Sequence, residues 1–275
     1  MAARYMKNFY KYRFLLLEIV RKNIKLQYRN SVLGMFWTFL QPLLTTMVLV
    51  LVFGTVFGNR DNPKVVCYPI FLLCGRLAFE FYTQATKKAM RSVRNNAGII
   101  KKVYVPKYIY PLANVLSSFI MFLISQLVLV AFLIYFRYAG GYPVGITRYT
   151  ALVFVPILLL LLLCLGVGLI LAVLEVFFKD IEYLYDVFCT LLFYLTPIFY
   201  HIDSLGISGG KRAWFGYILK ANPLYSIVSM YRDCILYGTM IRSTHFWYAL
   251  GFGLVTLSIG LVLFVKKQDK FILYI

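Results

Sequence analysis

The sequence predicts an all-α integral membrane protein. It reads as six transmembrane helices, an N-terminal amphipathic interface helix, and short re-entrant or extracytoplasmic helices before the last span. Three observations predict this. The 275-residue chain is 61% hydrophobic and 14% charged, more apolar material than a soluble core of that size needs. Several apolar runs reach the roughly 20 residues required to cross about 30 Å of hydrocarbon. Lysines and arginines concentrate in alternate connecting segments, as they do when cytoplasmic loops are held inside. The net charge of +19 therefore reflects orientation. It does not indicate a nucleic-acid partner, because the basic residues flank spans and form no single patch.

Residues 4–29 form the interface helix. Leu17, Val20, Ile24 and Tyr28 share one arc at 100° per residue, and Lys11, Glu18, Lys22, Lys25 and Arg29 share another, the pattern of a helix lying flat with its basic face in water. Asn30, Ser31 and Gly34 make a hinge, and span 1 follows at 35–57, ending in Gly54 and Gly58 at GxxxG spacing, which permits close helix packing. Span 2, at 65–85, carries Arg76 and Glu80. Charges at membrane depth are costly and mark function or a structural pair, and the spacing of four puts both on one face.

A basic loop follows at 86–108, with Lys87, Lys88, Arg91, Arg94, Lys101, Lys102 and Lys107. Span 3 is expected at 110–136, span 4 at 152–178 with Gly166 and Gly168, and span 5 at 184–200, where Pro197 should bend the helix. Residues 201–244 contain glycines, Pro223 and apolar patches too short to cross. They read as extracytoplasmic or re-entrant helices. Span 6 lies at 246–265 and a basic tail ends the chain. With the N-terminus inside, the inner segments hold 19 of the 29 Lys and Arg and the outer segments 9, with Arg76 inside a span. Both termini are thus expected in the cytoplasm.

Several chemistries lack their residues. No G-x-x-x-x-G-K-[ST] is present, so the chain cannot build a P-loop. Acidic residues are few, which suits neither an ion-coupled carrier nor a membrane enzyme. The five cysteines have no metal-ligand spacing and read as small apolar residues. The residues describe a conduit, with any energy source on another chain.

Five ordered blocks carry a resemblance: LQYRNSVLGMFWTFLQPLL (26–44), NNAGIIKKVYVPKYIYPLANVLSS (95–118), GVGLILAVLEVFFKDI (166–181), LTPIFY (195–200) and NPLYSIVSMYR (222–232). Together they resemble the membrane subunits of ABC-2 type transporters, in the branch that exports lipid-linked polysaccharides such as O antigen and teichoic acid. Three positions depart from that pattern: Lys179 stands in place of the usual arginine before Asp180, Tyr108 in place of a common acidic residue, and Arg76 with Glu80 in a stretch that is usually less charged.

The resemblance implies a homodimer with two ABC ATPase subunits on the cytoplasmic side of a bacterial inner membrane. ATP and Mg would be bound by the ATPase and no cofactor by this chain. The interface helix (4–29) and a cytoplasmic coupling segment at 88–105 would dock the ATPase, giving Lys22, Asn96, Lys101 and Lys102 coupling roles. A polyprenyl-diphosphate-linked glycan slides best over aromatic faces, which nominates Trp37, Gln41, Tyr194, Phe199 and Tyr200 for the path. Lys25 and Arg29 would meet the diphosphate at the entrance, alongside membrane lipids. Export of a small molecule or lipid, or a stand-alone carrier, are the alternative readings. The aromatic content and the match at 95–118 favour glycan.

Overall fold

The computed structural model describes residues 10–57, 67–103, 105–139, 141, 147–201 and 213–274. Among them the chain is helical throughout, without strands. In order, α1 is Arg13–Gln27, α2 Trp37–Phe57, α3 Tyr68–Met90, α4 Ser92–Asn95, α5 Ala97–Ile100 and α6 Ile109–Tyr138. Then come α7 Phe154–Phe177, α8 Ile181–Leu195, α9 Ala213–Ala221, α10 Pro223–Arg232, α11 Ser243–Lys267 and α12 Phe271–Tyr274. A 3₁₀ turn, Gly34–Phe36, leads into α2, another, Arg148–Val153, leads into α7, and α10 runs into a π-helical turn at Asp233–Tyr237.

Among the described residues four stretches are long and apolar enough to cross a membrane: Gly34–Gly54, Ile109–Tyr138, Arg148–Phe177 and Ser243–Tyr274. The other two expected spans correspond to α3 and α8, and each departs for a physical reason. Helix α3 is long enough but carries Arg76, Glu80, Lys87 and Lys88. It is the buried axis of the fold, with Ile70, Leu72, Leu73, Cys74, Ala85 and Met90 all inaccessible, so its neighbours rather than lipid set the composition it tolerates. Helix α8 has 15 residues, about 22 Å at 1.5 Å per residue, short of the hydrocarbon thickness. It does not bend at Pro197 but stops at Leu195, because Thr196 is extended (φ −94°, ψ 120°), the conformation imposed on a residue that precedes proline. Phe199 and Tyr200 consequently lie beyond the helix.

The coupling segment is also not one helix. Its first residues prolong α3, and the rest breaks into α4 and α5. Helix α1 turns a different edge inward from the one expected: Leu16 and Val20 are buried against Ile109 and Ala113 of α6, while Leu17 is 52% exposed. Asn23 donates to Asn114 across the same contact at 3.3 Å. Gly54 meets only ordinary contacts from Val50 and Tyr68, and Gly58 lies outside the described residues.

Helices α7 and α11 cross in close contact. A Cβ on Gly166 would sit 2.5 Å from the Leu257 nitrogen, and one on Gly260 would sit 2.8 Å from the Gly166 carbonyl oxygen. Backbone therefore touches backbone, as small residues permit in membranes. Gly166→Ala must push α11 away; we expect a loss of about 1–3 kcal/mol, read as a lower unfolding temperature in detergent. Gly251→Ala, whose Cβ meets nothing within 4 Å, is the matched control with no such loss.

Candidate functional site

The elements converge at two ends of α3. Phe71 and Lys87 mark them, sixteen residues apart along the helix, or about 24 Å.

At the hinge between α1 and α2, Asn30 adopts φ 66° and Gly34 φ 51°. The Ser31 hydroxyl accepts the Gly34 N–H at 3.1 Å, and the Tyr28 and Thr38 hydroxyls bond at 2.6 Å, tying the end of α1 to the start of α2. Behind this joint lies a cavity of about 60 Å³ with Gln27, Gln41, Glu80, Gln84, Ser118 and Ser125 in its wall. The structure thus brings together two residues that the sequence nominated for separate roles, Gln41 and Glu80. Gln84 donates to Glu80 Oε1 at 3.1 Å, and Arg76 stands 3.8 Å from Glu80 Oε2. The pair shares one face of α3, as its spacing predicts, while Glu80 Oε2 has no hydrogen bond among the described residues. Lys88 donates to Gln27 at 2.9 Å, linking the Lys87 end of α3 to α1.

Lys25 and Arg29 line a second, shallow depression at the hinge with Gly34 and Met35. Trp37 is exposed and does not line the polar cavity. Lys22, Lys101 and Lys102 are exposed. Asn96 instead serves its own turn, donating to the Ser92 carbonyl at 2.8 Å.

The Lys87 end of α3 carries an ionic cluster that sequence reasoning did not assemble. Arg94 of α4 contacts Glu175 of α7 at 2.8 Å and Glu182 of α8 at 2.6 Å. Arg91 reaches Glu182 at 2.7 Å, and Lys87 reaches Asp186 at 2.8 Å. The hydrogen bond to Glu182 raises the Arg94 pKa, with burial acting against it and Glu175 adding to it. The Glu175 side chain is 0% exposed. Its contact with Arg94 has ion-pair distance without hydrogen-bond angles. The acidic partners lie 81 to 99 residues from the basic ones, so only their signs could have suggested the pairing.

At the Phe71 end the aromatic candidates separate. Phe199 packs inside, its ring 4.9 Å from Phe53 and 5.2 Å from Phe193, and its carbonyl accepts from Tyr68 at 3.2 Å. Tyr194 is 68% exposed. Tyr200 donates to the Tyr194 carbonyl at 3.0 Å and borders a cavity at this end. Beside it lies a residue the sequence analysis quoted only as part of a block. Arg232 is 6% exposed. It donates to the carbonyls of Phe71 at 3.3 Å, Pro197 at 2.8 Å and Ile198 at 3.0 Å, and it stacks 3.4 Å from the Phe71 ring centroid. Burial lowers its pKa to about 10, so it remains charged at neutral pH. The guanidinium clamps the irregular chain after α8 onto α3. A lone arginine closing an apolar helix was the available signal.

The family model described as ABC-2 type transporter matches residues 15–236. The chain belongs to that family. The ABC-2 chain is also similar over nearly its whole length to curated proteins. An O-antigen export system permease protein RfbA of Klebsiella pneumoniae is 30% identical over 94% of this chain and 93% of its own. Its namesake in Myxococcus xanthus is 29% identical over 83% of each. The polysialic acid transport protein KpsM of Escherichia coli is 24% identical over 90% of this ABC-2 chain and 91% of its own. The hinge lies in the first of the sequence blocks and Glu175 in the third, Arg94 and Glu182 directly flank the second and third, and the Arg232 clamp joins the fourth to the fifth. The protein is a multi-pass membrane protein.

Proposed function

We propose that this chain is the membrane-spanning subunit of an ATP-driven exporter that carries a polyprenyl-diphosphate-linked polysaccharide across the bacterial cytoplasmic membrane. The observation that carries the reading is similarity along 94% of the chain to an O-antigen export permease. ATP and Mg are then bound by two copies of a separate ATPase, in keeping with the lack of a P-loop motif in this sequence. In this reading α3 and α8 supply the second and fifth of six spans, and both termini are cytoplasmic. Two copies of the chain enclose the path. The exposed apolar faces of α2 (Met47, Val48, Leu51) and α8 (Val187, Leu191, Tyr194) border it or the lipid.

Each sequence-nominated residue then has a role. Trp37 and Tyr194 offer exposed aromatic faces to a sliding glycan. Gln41 and Tyr200 line polar cavities at the two ends, and Lys25 and Arg29 face the diphosphate. Phe199 supports the outer aromatic cluster from within. Lys22, Lys101 and Lys102 are left to meet the ATPase, with Asn96 shaping the turn that presents the last two.

The test is co-purification with the candidate ATPase, followed by ATPase assays with lipid-linked glycan. Stimulation by the glycan is expected in wild type, and Trp37→Ala with Tyr194→Ala should cut export sharply at normal protein level. No ATPase association would remove the exporter reading. Unchanged export in the variant would remove these two residues from the path.

A further inference from the structure

The segment 201–244 holds five of the nine outer Lys and Arg, against the bias that keeps such residues inside. The structure collects three of them. Lys220 from α9, Arg232 from α10 and Arg242 just before α11 line one cavity of about 600 Å³, against a single carboxylate, Asp233. That size lies within the range of small-molecule sites, roughly 300–1,000 Å³. Among the described residues none of the three cations has a carboxylate at ion-pair distance. Arg232 is fixed by three carbonyl acceptors, but a guanidinium has five N–H groups, so two remain. Carbonyl oxygens orient that charge without neutralising it. Asp233 offsets only part of the total, and burial pushes its carboxyl pKa up, while Arg242 and Arg232 pull it back.

Lys220 and Arg242 are exposed at the rim and can reorient, while Ser229 adds a hydroxyl to the wall. A fixed guanidinium, two mobile cations and a neutral donor suit a multivalent oxyanion. A phosphate group brings up to two charges and several strong acceptor oxygens. A cation would meet one carboxylate and three like charges.

We propose that this cavity is an anion site that holds a phosphate-type group, with Arg232 as its fixed charge and Lys220 and Arg242 as its clamps. The side of the membrane on which it opens rests on the orientation given above; the binding itself does not. Two sources share this chemistry: the head group of a membrane lipid and a soluble phosphate.

The experiment uses the full chain and needs neither ATPase nor glycan, so its outcome is separate from that of the export test. Inorganic pyrophosphate binding is measured by calorimetry on protein in maltoside detergent. Phosphatidylglycerol retention is measured by native mass spectrometry of protein released from phosphatidylcholine–phosphatidylglycerol nanodiscs. Wild type is expected to bind at least one probe. Lys220→Gln with Arg242→Gln should weaken that binding by at least about tenfold, since each clamp supplies a charge-assisted hydrogen bond. The single Lys220→Gln variant should fall between them, and a wild-type unfolding temperature in both variants shows that the fold is kept. Phosphatidylglycerol retention alone identifies a lipid head group as occupant, and pyrophosphate binding alone a soluble phosphate. The proposal is overturned if wild type binds neither probe, or if the variants bind as tightly as wild type.

Discussion

Arg232→Ala is expected to lose most of the folded protein. The substitution strips donors from the carbonyls of Phe71, Pro197 and Ile198 at once and opens a hole over the Phe71 ring. Each orphaned buried acceptor costs about 1–3 kcal/mol, so a total of roughly 4 kcal/mol or more is expected, a large share of typical domain stability. The Pro197–Ile198 stretch feels it most, because it lies outside any helix and the clamp anchors it to α3. Arg232→Lys should restore less than half of the loss, since an ammonium is a point donor and cannot span three acceptors in the fixed fork of a guanidinium. Gly75 gives an independent route to the same site. A Cβ there would lie 2.8 Å from Arg232 Nη2 and 3.4 Å from the Ile198 Cα, so Gly75→Val should displace the clamp without touching a charge. Unfolding temperature and folded yield in detergent report both variants. An Arg232→Ala protein that melts within about 1 kcal/mol of wild type would falsify the clamp, since a loss that small is the ordinary effect of a point substitution.

The long apolar runs were legible because hydrocarbon imposes a length on any spanning helix, and α2, α6, α7 and α11 follow it closely. What the sequence could not convey depended on neighbours. In α1 the run Leu15–Leu16–Leu17 is continuously apolar, so periodicity alone admits more than one inner edge. Contact with Ile109 and Ala113 selects Leu16 over Leu17. Helix α3 looked like an ordinary span with two misplaced charges, whereas burial of all but the stripe through Arg76, Glu80, Gln84 and Lys87 makes it the axis of the fold. Gly166 stood out in the sequence, but its partner Gly260 did not, because which two small residues meet is fixed by the crossing of α7 and α11.

The site residues divide in the same way. Gln41 and Glu80 were both visible as polar groups in apolar runs, but the cavity that unites them is built by the approach of α2 to α3 and α6. Phe199 was read as part of span 5. The restriction on Thr196 ahead of Pro197 ends α8 early and turns that ring into the interior instead. Arg94 was counted only as a cytoplasmic positive charge, and its acidic partners lie beyond two further helices.

Those partners make Arg94 the second position where a large effect is expected. Its guanidinium holds α4 to the last turn of α7 through Glu175 and to the first turn of α8 through Glu182. Arg94→Ala leaves the Glu175 carboxylate buried with its close counter-ion gone, a loss of about 3–5 kcal/mol for breaking a buried pair from one side. Arg91 still holds Glu182, so the penalty centres on Glu175. Adding Glu175→Gln to Arg94→Ala removes the stranded charge and should recover much of the stability, a coupling of about 1–3 kcal/mol in the double-mutant cycle. Export should not recover with it. In the proposed exporter the coupling segment passes ATPase motion to α7 and α8, and the double variant still lacks the Arg94–Glu182 bond. The expected signature is a near-wild-type unfolding temperature with weakened coupling of ATP hydrolysis to glycan export. If export returns in step with stability, the cluster only holds the fold, and motion reaches the spans through the hinge at Asn30–Gly34 instead.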